Sequence, residues 1–150
     1  MGEGEGCEQP SCRSDPFWQQ VLAGRGRAAR ARRDCPLSRE QLGHYSWSLL
    51  HTIAAGYPEQ PPAATQAGMA EFLRLFGEFY PCAMCAPHFR RDLQAYPPRL
   101  HSREAFAVWL CETHNRTNAL LGKPQFDCAP ERLRRRWERN EDCPGEPVLD

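Results

Sequence analysis

The sequence predicts an all-α fold, a four-helix bundle with a short fifth helix, preceded by a flexible arm. Three observations predict it. Apolar residues recur three and four apart in four stretches between Ser38 and Leu121, the spacing of one helix face. No stretch alternates apolar and polar residues with the period of a strand. Glycine and proline punctuate the stretches at Gly56, Pro58, Pro81, Pro97-Pro98 and Gly122, leaving the brief connections of a small bundle.

Residues 1–34 carry Gly, Glu and five arginines between Arg25 and Arg33, with one short apolar patch at Phe17, Trp18, Val21 and Leu22. Such a composition buries too little surface to offset its ordering entropy, so it reads as a mobile arm. Within it, Cys7 and Cys12 are spaced to close a small, exchangeable loop or to remain two incidental thiols. Gly24-Arg25-Gly26-Arg27-Ala28-Ala29 spells a dinucleotide-binding pattern, but no strand precedes it and Pro36 follows too soon. With 41% hydrophobic residues in 150, the rest supports one modest core, taken as a domain over 35–143 with a tail at 144–150.

Nineteen basic residues balance nineteen acidic ones, so no net field recruits nucleic acid or an anionic membrane. No apolar run approaches the roughly 20 residues of a membrane span. Eight cysteines are many for a chain of this length and point to persistent disulfides or to thiol chemistry. Met1 to Cys12 lacks the charged and apolar regions of a secretory signal, so export by that route is not expected.

Each helix has its own signals. Ser38 and Gln41 form a capping-box pair ahead of Leu42, Tyr45, Leu49 and Ile53, and a second stripe runs through Trp47, Leu50, His51 and Ala54. A helix over Ser38–Ala55 covered on two sides follows. The next, Thr65–Tyr80, gathers Met69, Phe72, Leu73, Phe76, Phe79 and Tyr80 into an aromatic face read as core. A third, from Cys82 to Ala95, pairs Phe89 with Leu93 and stops at Pro97-Pro98. Ser102 caps the longest, to Leu121, with Gly122 at its end. An Arg-rich fifth spans Glu131 to Arg139 and includes Trp137.

Two motifs carry chemistry. Tyr80-Pro81-Cys82-Ala83-Met84-Cys85 puts a Cys-x-x-Cys pair where one helix ends and another begins. A helix starting near Pro81 would aim free N–H groups at Cys82 and favour its thiolate, and the spacing allows a readily exchanged disulfide. The alternative is structural zinc, with His88 and Cys111 completing the ligands. On the fourth helix, Cys111, His114 and Asn118 share one stripe flanked by Asn115. A polar stripe on a buried helix needs a polar partner, either another helix or a ligand rich in polar atoms. Asn115-Arg116-Thr117 is also a formal glycosylation sequon, of little weight in a helix.

These residues together resemble a known family. Cys35-Pro36, Leu42-Gly43-His44-Tyr45-Ser46-Trp47-Ser48-Leu49-Leu50-His51-Thr52, Phe79-Tyr80-Pro81-Cys82 with Cys85, Cys111-x-x-His114-Asn115-x-x-Asn118 and Gly122-Lys123-Pro124 are similar to the FAD-linked sulfhydryl oxidases of the Erv/ALR family. The resemblance covers about residues 34 to 143. It implies FAD held at the mouth of the bundle, without metal. Its flavin set would be Arg39, Gly43, His44, Ser46, Trp47, His51, Tyr80, Cys111, His114, Asn115, Asn118, Leu121, Lys123 and Arg132. Cys82 would meet the incoming thiol and Cys85 would face the flavin, with Cys7 and Cys12 as a shuttle pair. Cys111 and Cys128 would form a structural disulfide, and Cys35 and Cys143 would cross between subunits of a homodimer.

The implied partners are thiol-bearing client proteins, including the import oxidoreductase of the mitochondrial intermembrane space, with oxygen or cytochrome c as acceptor. The implied location is that space, the alternatives being the cytosol or a secreted short form. Two positions depart from the family pattern. The shuttle pair is usually Cys-x-x-Cys, whereas four residues separate Cys7 from Cys12, and Leu133 stands where a tryptophan is usual beside the flavin.

Overall fold

A computed structural model describes residues 35–139, and the compact unit holding its helices begins at Leu37. Cys7 and Cys12, expected as a shuttle pair, the expected arm, Cys143 and the tail lie outside the described residues. Five α-helices and no strand occur among the described residues: α1 (Arg39–Ala55), α2 (Ala63–Phe79), α3 (Cys85–Ala95), α4 (Arg103–Leu120) and α5 (Pro130–Leu133). A wider π-helical turn, Arg134–Glu138, continues from α5.

Local chemistry sets the helix ends. Ser38 Oγ accepts from Gln41 N at 3.2 Å while Gln41 Oε1 accepts from Ser38 N at 3.0 Å, so two otherwise unpaired donors of α1 are satisfied. Helix α2 starts two residues earlier than the sequence predicts. Pro62 needs no N–H partner there, and Gln66 ties back to Pro61 O at 3.0 Å. It ends one residue earlier because Tyr80, preceding Pro81, is extended at ψ 119°. Ser102 caps α4 by accepting from Ala105 N at 3.1 Å.

At the other end of α4, Gly122 sits at φ +64°, Lys123 N donates to Asn118 O at 2.8 Å and Gly122 N donates to Ala119 O at 3.2 Å. This is the αL termination that glycine permits and a side chain resists. The predicted fifth helix is corrected. Only Pro130–Leu133 is α-helical, and residues Arg134–Glu138 after it continue as a wider π turn.

One core holds the bundle together: Leu50 and Ala54 of α1, Tyr57, Leu73 of α2, Leu100, and Phe106, Trp109 and Leu110 of α4. Polar atoms that enter it are paired. Tyr57 Oη donates to Leu100 O at 3.1 Å, and Trp109 Nε1 to Tyr96 O at 2.9 Å. Helices α2 and α3 approach through Gly77, where a Cβ would lie 3.0 Å from Phe89 Cδ1 and 3.2 Å from Arg90 Cγ. Arg90 Nη1 reaches over it to Gly77 O at 2.9 Å. Gly77→Val should therefore cost about 1–3 kcal/mol through overpacking, read as a lower midpoint in denaturant titration; an unchanged midpoint would show that α3 yields freely.

Two apolar stripes are core only in part: Leu73 is buried and Met69, Phe76 and Ile53 pack against the core, whereas other members are exposed. Phe79 is 74% exposed and Phe72 37%, and on α1 Tyr45 and Leu49 are 54% and 55% exposed. Among the described residues these side chains stay outside the core that Leu73, Leu50 and Ala54 enter. The aromatic face of α2 is corrected at Phe72 and Phe79, and the two-sided covering of α1 at Tyr45 and Leu49.

Candidate redox and cofactor site

The site is built on α1 and the turn before α3. Cys82 and Cys85 form a disulfide with Cα atoms 5.2 Å apart. The helix begins at Cys85, so the two cysteines do not share a first helical turn, which corrects the sequence reading. Cys82 lies in the turn before it, with its carbonyl accepting from Cys85 N and Ala86 N at 3.0 and 2.9 Å. Its Sγ also accepts from Cys85 N at 3.2 Å. A thiolate at this sulfur would face helix-end N–H groups, the environment that lowers a thiol pKa.

The zinc alternative is not assembled. Cys111 is bonded to Cys128, His88 is exposed beside Arg91, and no group of three or more possible ligands occurs among the described residues.

Along α1, Arg39, Gly43, Trp47 and His51 recur every four residues and so line one face over about 18 Å. At one end Arg39 Nη1 lies 3.8 Å from Met84 Sδ, which stands between Cys82 and Cys85 in the chain. At the other end four rings interlock. Trp47 stacks on His114 with centroids 4.2 Å apart, His51 stacks on Trp137 at 4.7 Å, and His51 Nε2 and His114 Nδ1 share a hydrogen bond of 3.1 Å. Trp47 also meets Phe89 of α3 edge-on at 6.3 Å, one turn beyond Cys85. Between the two ends Gly43 leaves open space, with nothing within 4 Å of where a Cβ would lie.

Both histidines are held neutral. Burial foremost, then His114 and Arg136, push His51 down to about 3, and burial foremost, then Lys123, pushes His114 down to about 4. These shifts carry a stability consequence. Above the ordinary imidazole value of 6.5 neither residue penalises folding. As the pH falls below it, the unfolded chain gains protons that the folded site refuses. For His51 alone, about 2 kcal/mol of stability should vanish between pH 7 and pH 5. His114 adds in the same direction, and the loss levels off below about pH 3. Denaturant titration of wild type and His51→Asn at both pH values checks this; equal acid sensitivity would remove His51 as the cause.

The remaining predicted residues are distributed around this track. Asn115 is committed to the loop after α4, its Oδ1 accepting from Phe126 N at 2.8 Å and its Nδ2 donating to Phe126 O at 2.7 Å. The Cys111–Cys128 disulfide ties down the same loop. Asn118 is half-buried, and its carbonyl anchors Lys123. Tyr80 packs on Phe76 at 5.2 Å, and His44 lies edge-on to Tyr45 at 5.4 Å. Ser46 is half-buried, while Leu121, Lys123 and Arg132 are exposed. Cys35 is an exposed free thiol.

Two residues of the ring cluster escaped the sequence reading: Trp137, and Arg136, whose guanidinium lies 5.4 Å from the Trp137 ring. Their signal was the four-residue step from Leu133, which is itself buried in the core. Trp137 thus supplies an indole on the π turn, four residues beyond Leu133.

A Cys-x-x-Cys disulfide just before a helix start, joined by one helix face to a cluster of flat rings with cations beside it, defines an all-helical domain with one candidate redox and cofactor site. Comparison with known proteins makes the class specific. A family model described as the Erv1 / Alr family matches residues 44–138, and the chain belongs to that family. It is 46% identical over 89 residues to the mitochondrial FAD-linked sulfhydryl oxidase ERV1 of Saccharomyces cerevisiae, covering 59% of this chain and 47% of that protein. It is 41% identical over 109 residues to the FAD-linked sulfhydryl oxidase ERV1 of Oryza sativa, covering 73% of this chain and 55% of that one. The chain spans about half the length of these relatives.

Among solved structures it is similar to the yeast Erv1 core, with a TM-score of 0.68 and 39% identity over 76% of this chain and 95% of that one. The FAD-binding domain of Erv1 from Saccharomyces cerevisiae matches with a TM-score of 0.66 and 41% identity over 69% and 97%.

Proposed function

We propose that this chain is an FAD-dependent thiol oxidase that makes disulfides in client proteins. The observation that carries the reading is the α1 face from Arg39 to His51, which links the redox turn to the stacked rings. The residues fit a flavin nucleotide. Trp47, His51, His114 and Trp137 offer flat faces, Gly43 leaves room where a side chain would intrude, and Lys123 and Arg136 supply positive charge. FAD bound there would supply the two-electron acceptor that re-forms the Cys82–Cys85 disulfide and passes the pair to oxygen or cytochrome c.

The chain's own sulfurs perform the exchange. A client thiolate attacks Cys82 Sγ, forming a mixed disulfide and releasing Cys85 as thiolate. A second client thiolate then displaces Cys82, leaving the client oxidised and the 82–85 pair reduced by two electrons. The Cys85 N–H at the start of α3 stabilises the charge on Cys82 when the second client thiolate displaces it. Both histidines, being neutral, keep the ring cluster free of an uncompensated buried charge.

Purified protein should be yellow and should consume oxygen when given a dithiol. Folded, colourless protein that takes up no FAD would overturn the reading. Gly43→Leu gives a sharper test. It should leave the helix as stable or more so, since leucine is the better helix former by up to about 1 kcal/mol, yet lower FAD occupancy at least tenfold. Full occupancy in that variant would move the cofactor off this face.

The mitochondrial name of the yeast relative supports a mitochondrial location, and the intermembrane space with its import oxidoreductase is the reading in which such clients are met. The exposed Tyr45, Leu49, Phe72 and Leu75 support a homodimer, in which Cys35 and Cys143 would cross between subunits. A monomeric mass in sedimentation at micromolar concentration would remove that part. Cys7 and Cys12 are proposed as the shuttle to Cys82, to be tested by Cys7→Ser with a protein client and with a small dithiol.

A further inference from the structure

The glycosylation sequon spelled by Asn115-Arg116-Thr117 has no acceptor to offer, because the Asn115 amide is bonded to Phe126 on both sides. Its middle residue holds something else. Arg116 Nε donates to Asp92 Oδ2 at 2.8 Å, and Arg116 Nη2 to Thr113 Oγ1 at 2.8 Å. The guanidinium carbon lies 4.2 Å from the centre of the Tyr96 ring. Thr113 is itself buried, with its hydroxyl donating to Trp109 O at 2.9 Å. Tyr96 O accepts from Trp109 Nε1. The Arg116 and Asp92 side chains are 29% and 22% exposed, so this pair is screened less than the surface pairs of α2.

The node matters because of what its two helices carry. Asp92 and Tyr96 stand at the end of α3, whose first residue is Cys85; Thr113 and Arg116 are on α4, on either side of the His114–Asn115 pair. At its middle α3 is held by the contacts at Phe89 and Arg90. Asp92 is seven residues, about 10 Å, along the helix from Cys85, so a small rotation at the node displaces the sulfur by a fraction of an ångström to an ångström.

Resting on the thiol-oxidase reading above, we propose that Arg116 is a positioning residue for electron transfer from Cys85. By gripping Asp92, Tyr96 and Thr113 at once, it fixes the rotation and slide of the helix bearing the flavin-facing thiol against the helix bearing His114. Only a guanidinium serves all three: its fork reaches two oxygens while its plane lies over the ring, whereas an ammonium is a single point charge.

The test uses the FAD-loaded full chain. Under anaerobic conditions with excess dithiol, Arg116→Met should slow flavin reduction about 10- to 100-fold, the scale of an ångström misplacement. Reoxidation of the chemically reduced enzyme by oxygen should stay within twofold of wild type. Arg116→Lys should recover the rate only in part. A static readout accompanies these. In a Cys82→Ser background, the remaining Cys85 thiolate should give the long-wavelength absorbance of a thiolate touching oxidised flavin, and Arg116→Met should abolish it.

Asp92→Asn, which keeps the shape and removes the charge, should shift both readouts the same way and serves if Arg116→Met fails to fold. A lowered melting temperature with unchanged flavin reduction and unchanged absorbance would make the node merely structural and overturn the proposal. Equal slowing of reduction and reoxidation would overturn it as well, by locating the damage in the flavin site at large. Wild-type enzyme that binds FAD but is not reduced by dithiol would instead overturn the oxidase reading, and the proposal with it.

Discussion

Cys85→Ser is expected to lower dithiol-driven oxygen consumption about a thousandfold or more while leaving flavin bound. The magnitude follows from the proposed pair acting as one unit: without Cys85 no disulfide can form at residues 82 and 85, so the proposed relay has no acceptor for a client's electrons. Flavin retention follows from geometry. The stacked rings sit on α1, α4 and the π turn, and none of them depends on the Cys85 sulfur. Absorbance spectra and oxygen-electrode traces on the same preparation check both halves. A variant that loses flavin together with activity would tie the sulfur to cofactor binding; one that still turns over would remove the pair from the mechanism.

The second large effect is structural. Replacing Cys111 and Cys128 together by alanine should cost about 3 kcal/mol, the loop-closure value for a bridge that spans 17 residues. Because the bridge and Asn115 hold the same loop, the variant should also release flavin more readily, through looser placement of Lys123 and of the segment leading to Trp137. Denaturant titration with flavin fluorescence read in parallel would separate the two consequences. An unaltered midpoint would mean that Asn115 alone anchors the loop.

Much of the fold is legible residue by residue. Ser38 with Gln41, Ser102, Gly122 and Pro97-Pro98 each act through their own backbone neighbours, so their effect is local and the helix boundaries follow within a residue or two. The exposure of Phe72, Phe79, Tyr45 and Leu49 is not legible in that way. Periodicity reveals an apolar face but not whether this chain or another covers it.

The site divides similarly. The Cys82–Cys85 spacing is readable because three residues fix the distance between the sulfurs. The meeting of Trp47 with His114 and of His51 with Trp137 joins positions more than sixty residues apart and depends on how α1, α4 and the last turn pack. Asn115 shows the reverse case. Its place in the motif suggests a ligand contact, and its amide also grips a passing backbone at Phe126, a bond no local spacing announces.

The π turn at Arg134–Glu138 has a bearing on protein engineering and on sequence alignment. Its wider winding sets the angular position at which Trp137 leaves the backbone, and that position is what lets the indole lie flat on His51. Deleting any one of the three consecutive arginines 134 to 136 would pull the following residues back by one step, swinging the indole about 100° around the helix axis. Length variation within this short tract would therefore harm the ring stack more than replacing any one arginine by lysine.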